Sequence, residues 1–202
     1  MNFIIVDILI ICGCIALSVV ALRYQKNKNK QKRALYQAIA DKYGMQMKEQ
    51  KAGIEMMFGL GMQKGERIIK VYEIMRGTRK SKSIVTNIVI ENTPFGFDFK
   101  IGHEHIFSKA GKKLGKTDIE FGEEDFDKEF LLKSNHPESF KQLLNEDIRK
   151  ELMSISDDLE MAIEHTDKVM SYSQIGPLKN QKQFDAFERV LAFMINLSES
   201  LY

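Results

Sequence analysis

Two segments of this chain carry residue types and spacings that suggest chemistry. Ala110-Gly111-Lys112-Lys113-Leu114-Gly115-Lys116-Thr117 fits a loose phosphate-loop pattern in which Ala replaces the first Gly. Such a loop works by aiming backbone N–H groups and a helix N-terminus at phosphate, so it needs a buried strand before it and a helix after it. Here Asp118-Ile119-Glu120-Phe121-Gly122-Glu123-Glu124 follows, a short and acidic run that repels phosphate and has no helical pattern. Ahead of the loop, Ile106, Phe107, Ala110 and Leu114 have helical spacing, and the chain lacks βαβ alternation. The segment therefore reads as a basic amphipathic helix with a Gly-Lys end. His103-Glu104-His105 would set two imidazoles on one side of a strand, half of a metal site, but would splay them in a helix. His136 and His165 have no ligand partner by spacing. Glu123, Glu124, Asp125, Asp127 and Glu129 lack the Gly-hinged spacing of a calcium loop and read as a solvated acidic surface. No Ser, Cys or Lys sits in a motif that marks an activated nucleophile. The expectation is no catalytic residue, no cofactor and no metal; the enzymatic alternative is a site assembled from dispersed residues around His103 and His105.

The elements that position these residues begin with an almost unbroken apolar run, Phe3 to Leu22, followed at once by Arg23, Lys26, Lys28, Lys30, Lys32 and Arg33. Twenty helical residues span about 30 Å, the thickness of a bilayer's hydrocarbon core. No Lys or Arg precedes the run, so the positive-inside rule places the N-terminus outside and the rest of the chain in the cytoplasm. The expected location is thus the cell membrane, as a single-pass protein. A cleaved signal peptide would carry a basic n-region and a shorter apolar core, and Ile11-Cys12-Gly13-Cys14 matches a lipoprotein box only faintly without that n-region. Cys12 and Cys14 point to different sides of a helix and read as small membrane residues. Asp7 is the one ionisable residue in the run, either reaching back to the interface or pairing with a partner helix. The predicted organisation is a transmembrane anchor over residues 1–22, a basic juxtamembrane linker over 23–33 and a cytoplasmic domain over 34–202.

Charge is divided along the chain. Residues 64–116 carry 12 Lys and Arg against 5 Asp and Glu, whereas residues 117–167 carry 5 against 16, a split concealed by the net charge of +2. Basic and acidic halves that simply solvate separate surfaces are one reading. The functional reading turns Arg76, Arg79, Lys80, Lys82, Lys109, Lys112, Lys113 and Lys116 toward the anionic leaflet beside the anchor. The membrane-surface candidates are accordingly Arg23, Lys26, Lys28, Lys30, Lys32, Arg33, Lys112, Lys113 and Lys116, with Asp7 the candidate for a helix partner. Nucleic acid is not expected, since the basic stretches lack interleaved aromatics. The expected partners are membrane lipid and a protein partner or second copy of the chain.

Within the domain, Leu35, Tyr36, Ile39 and Tyr43 have helical spacing, with Gly44 at the C′ position. Ile68 to Met75 and Ile84 to Ile90 read as a hairpin with a long basic loop, Arg76 to Ser83. Phe95, Phe97, Phe99 and Ile101 alternate as a strand with one buried aromatic face. Ile119 and Phe121 suggest a short strand, and Phe126, Phe130, Leu131 and Leu132 lead into another. Asn135-His136-Pro137-Glu138 opens a helix, Asn145 caps the next, and Leu159 to Ile163 pairs with Val169 to Ile175. A C-terminal amphipathic helix from about Asn180 buries Phe184, Phe187, Val190, Leu191, Met194 and Leu197 on one stripe. The fold class is α+β: an N-terminal transmembrane helix, then an antiparallel β-sheet domain with packed helices and that C-terminal helix.

The order of these elements resembles a family. Lys42-Tyr43-Gly44, Phe97-Asp98-Phe99, Leu114-Gly115, Asp118-Ile119-Glu120, Phe126-Asp127-Lys128-Glu129-Phe130, Lys133-Ser134-Asn135-His136-Pro137-Glu138 and Leu143-Leu144 carry the likeness. Over roughly Leu35 to Tyr202 the chain is similar to uncharacterised bacterial single-pass membrane-anchored proteins, a domain of unknown function with an FD..F.vks.dPe pattern. The resemblance implies a bacterial plasma-membrane protein and transfers no catalytic residue. The function expected is a non-catalytic interaction, scaffold or accessory module on the cytoplasmic face, or else a small subunit of a membrane complex.

Overall fold

Helical spacing at the start of the domain and apolar side chains before it merge into one helix, α1 (Asn2–Tyr43), that runs without a break through the expected linker. The computed structural model describes residues 2–52, 55–78, 81–104, 117–178 and 180–200, with side chains except at 2–14, 16, 52, 55, 78 and 117. Among the described residues no helix is long and apolar enough to cross a membrane. Of Phe3–Leu22, the side chains of 3–14 and 16, Asp7 among them, lie outside that description. Helix α1 ends where Gly44 adopts φ +66°, and the Met45 N–H donates to the Ala40 carbonyl at 2.8 Å, closing a Schellman motif.

Nine strands form a single sheet in the order β1-β2-β3-β4-β9-β8-β5-β7-β6, every neighbouring pair antiparallel. They are β1 (Gln46–Ala52), β2 (Glu55–Lys64), β3 (Arg67–Thr78), β4 (Ser81–Glu91), β5 (Phe99–Gly102), β6 (Thr117–Ile119), β7 (Leu131–Ser134), β8 (Ile163–Thr166) and β9 (Val169–Ile175). Between β6 and β7 lies α2 (Glu124–Glu129), and between β7 and β8 lie α3 (Pro137–Leu143) and α4 (Glu146–Ser154). Helix α5 (Gln181–Glu199) closes the chain's described part. Alternation puts Phe58, Leu60, Ile69, Val71, Ile88, Ile90 and Tyr172 on one sheet face, all buried. The last turns of α1 and the apolar stripe of α5 cover that face. Tyr36 stacks on Phe58 and meets Phe184 edge-on, both at 5.1 Å between ring centroids. Each such fully buried side chain contributes about 1.5–3 kcal/mol.

Several sequence expectations hold at their boundaries. Asn145 accepts a hydrogen bond from the Ile148 N–H and Asn180 from the Gln183 N–H, each at 3.0 Å, as N-caps should. Pro137 opens α3, with His136 rather than Asn135 at the cap position. Asp167 and Lys168 at φ 51° and 63° form the tight turn between β8 and β9, but the strand before it is Ile163–Thr166 instead of the expected Leu159 to Ile163.

Other expectations need correction. The long basic loop Arg76 to Ser83 is mostly strand: β3 and β4 stay in register to Thr78↔Ser81. Gly77 makes this feasible, since it holds φ +111° and a Cβ there would lie 1.9 Å from the Ser81 carbonyl oxygen. The aromatic strand is shorter than expected. Phe95 and Phe97 precede β5 in irregular backbone, and β5 is buried on both faces, Lys100 included. Residues 124–129 form a helix because the Asp127 carboxylate accepts the N–H groups of Phe121, Gly122 and Glu123, closing the turn that leads into it. Strands β1 and β2 were not legible at all. Their composition is polar or glycine-interrupted, and pairing with β3 supplies what local pattern does not.

Candidate functional site

Helix α1 has two parts with different surroundings. From Ile15 to Tyr24 its apolar side chains stand in the open: Leu17 is 72% exposed, Val20 64% and Leu22 65%. At 100° per residue Ile15, Leu17, Val19, Val20, Ala21 and Leu22 are spread around the helix and leave only the arc of Ser18, so this stretch has no charged face to turn to water. Arg23, Lys26 and Lys30 follow, exposed, with Lys28 half-buried.

At Lys32 the helix meets the domain. This residue leaves the membrane-surface set: it is buried, and its Nζ donates to Glu73 Oε2 at 2.7 Å and to the Met56 carbonyl at 3.1 Å. Its Nζ stands over the Phe58 ring, 5.4 Å from the centroid. The Glu73 carboxylate is wholly buried and also accepts the Phe58 N–H at 3.1 Å. Its other oxygen, Oε1, and the Tyr36 hydroxyl make no hydrogen bond of good geometry among the described residues. Burial, reinforced by the Glu73 charge, holds the Tyr36 phenol well above its ordinary range. Arg33 is exposed and pairs with Glu49 at 2.7 Å. The first side chain of the domain core thus lies inside the 23–33 segment. Lys112, Lys113 and Lys116, like Arg79, Lys80, Lys109 and the phosphate-loop-like stretch before Thr117, lie outside the described residues.

The histidines separate into structural roles. His103 presents each ring nitrogen to a backbone carbonyl, Nδ1 to Glu129 and Nε2 to Ser156, both at 3.0 Å, and stacks on Phe130. It staples the end of β5 to α2 and the turn at Ser156–Asp158. A general base needs a nitrogen open to substrate. The polar hollow beside it, of about 560 Å³, is rimmed by Glu104, Glu129, Asp157 and Glu160. His165 is a core residue: Thr93 Oγ1 lies 2.7 Å from Nε2, the Phe97 carbonyl 2.7 Å from Nδ1, and Phe99 stacks on its ring at 4.9 Å. His105 lies outside the described residues. No group of three or more His, Cys, Asp or Glu able to hold a metal occurs among the described residues.

Sequence reasoning missed the face of the sheet opposite the core. Gly59 and Gly61, two apart on β2, leave a floor without side chains between Gln46 and Lys48 on one side and Ile68, Lys70 and Tyr72 on the other. The resulting groove has a volume of about 610 Å³. The Gly-Leu-Gly spacing is the one signal that would have shown it.

No family model matches the chain, and no curated protein matches it. The family resemblance drawn from the motifs is therefore without a matching family model. In the solved structures, the chain is similar to the crystal structure of the mycobacterial trehalose monomycolate transport factor A, TtfA. The TM-score is 0.44 and the identity 10%, over 88% of this chain and 96% of that one. A likeness this distant carries no argument about function.

Proposed function

We propose that the chain is a single-pass membrane protein whose domain serves as a non-catalytic interaction module on the cytoplasmic face. The observation that carries this reading is the exposed stretch of α1. A helix that is apolar around all but the Ser18 arc needs a low-dielectric surrounding, and its length with Phe3 to Cys14 matches a bilayer. The cations that follow it favour the cytoplasmic side. Against catalysis stands the engagement of both His103 nitrogens by backbone carbonyls and the packing of His165 in the core. Alkaline carbonate extraction of membranes from cells expressing the full chain tests the anchor. The protein should stay in the pellet, and release into the supernatant would sink the reading.

A further inference from the structure

We infer that the basic end of α1 and the tip of the β3–β4 hairpin form one two-pronged cationic surface that rests on anionic lipid headgroups. This builds on the anchored reading above and adds a second, electrostatic contact made by the sheet itself.

Both prongs leave a common point, the Lys32–Glu73 pair. Their direction is set by two further contacts. Tyr36 stacks on Phe58, and α1 passes through Gly44 into β1, whose Gln46 lies opposite Gly61, itself opposite Lys70. Moving back along α1 from Tyr43 toward Lys32 therefore runs in the same sense as moving forward along β3 from Lys70 toward Glu73. Continuing, Arg76 lies about 10 Å beyond Glu73 and the Gly77–Lys82 pair about 13 Å beyond it, at about 3.3 Å per strand residue. On the helix, Lys26 lies about 9 Å and Arg23 about 14 Å beyond Lys32, at about 1.5 Å per residue. Counted along each element from that shared point, the exposed cations Arg76 and Lys82 lie as far out as Lys26 and Arg23, where the apolar stretch of α1 ends.

Exposed cations without an ion pair among the described residues also occur elsewhere, at Lys48, Lys51, Lys168 and Lys182, so it is the clustering of the unpaired ones at this end that matters. Arg23, Lys26, Lys30, Arg76 and Lys82 are exposed and have no ion-pair partner among the described residues. By contrast Arg33, Lys42, Lys64 and Lys70 each hold a carboxylate. Uncompensated cations at the height of a bilayer surface fit an anionic leaflet, whose attraction reaches about a Debye length. The β3–β4 hairpin can bear that load because its register is continuous to the tip.

The test uses the full chain, with Cys12 and Cys14 changed to Ala, in nanodiscs containing a lipid spin-labelled at the headgroup. A fluorophore is placed at Ser81→Cys on the tip or, as the membrane-distal control, at Gln63→Cys. In discs of phosphatidylcholine with phosphatidylglycerol, quenching at position 81 should exceed that at position 63 at least three-fold. It should fall toward the control in phosphatidylcholine alone, at high salt, and in R76E/K82E, whose contact weakens about five-fold or more per reversed charge. Quenching at position 81 equal to the control in a chain that has entered the discs would overturn the inference and leave the anchor intact, the tip then being free for an acidic protein. Quenching indifferent to lipid charge and to R76E/K82E would overturn it as well. A chain that fails to enter the discs removes the anchored reading and this inference with it.

Discussion

Replacing Lys32 by Met tests how α1 is fixed to the sheet. Lys32 is nine-tenths buried and Glu73 fully so, and the Glu73 oxygen that Lys32 holds is also the one bonded to the Phe58 N–H. Met fills the stem's volume but leaves a carboxylate in the core with one backbone donor and an orphaned Oε1. Removing one partner of a buried pair costs about 3–5 kcal/mol, whereas replacing both with apolar residues is close to neutral. For a domain of this size that predicts a fall in Tm of about 6–20 °C for K32M, largely reversed in K32M/E73L. The chain has no Trp, so unfolding is followed by far-UV circular dichroism of the full chain in mild detergent. A K32M cost below about 1 kcal/mol, or a double variant no more stable than K32M, would refute the reasoning.

Gly77→Ala meets the Ser81 carbonyl at 1.9 Å and an unfavourable φ, so the hairpin tip should lose about 1–3 kcal/mol, read as faster amide exchange from Met75 to Ile84 with the α5 amides unchanged. His165→Ala strips partners from Thr93 and the Phe97 carbonyl and opens a void between Phe95 and Phe99; a loss of about 3 kcal/mol or more is expected in urea unfolding. Burial raises the Tyr36, Tyr43 and Tyr172 phenols, so the folded state keeps protons that the unfolded chain releases near pH 10. Stability should therefore decline as pH rises past about 10, and Tyr36→Phe should flatten that decline when unfolding at pH 8 and pH 10.5 is compared. An unchanged slope would count against the buried environment of Tyr36.

Where the sequence carried a local signal, it was readable in physical terms. Asn145 and Asn180 before apolar stripes, Pro137 at a helix start and Gly44 after Tyr43 are decided by backbone chemistry within a few residues. The α+β class, the antiparallel sheet and the C-terminal helix followed from such signals. Strands β1 and β2 did not, because Gln46–Ala52 is polar and takes its place from pairing, not from its own alternation. Phe95 to Ile101 misled by period: Asp98 donates its N–H to Asn135 and the Phe97 carbonyl meets His165, contacts that bend the segment and come from residues far along the chain. Lys32 looked like one of six juxtamembrane cations, and nothing local marks it as the one that turns inward toward Glu73, 41 residues away. The division of the domain's surface cations into paired and free sets is likewise a property of the fold.

The topology proposed above fixes the chain in the membrane by α1 with its domain in the cytoplasm. Its most direct test is labelling by a membrane-impermeant maleimide in intact cells, with single cysteines at Asn2→Cys and Ser200→Cys in the background lacking Cys12 and Cys14. Labelling is expected at position 2 in intact cells and at position 200 only after permeabilisation. Labelling at position 200 in intact cells, with position 2 protected, would contradict it.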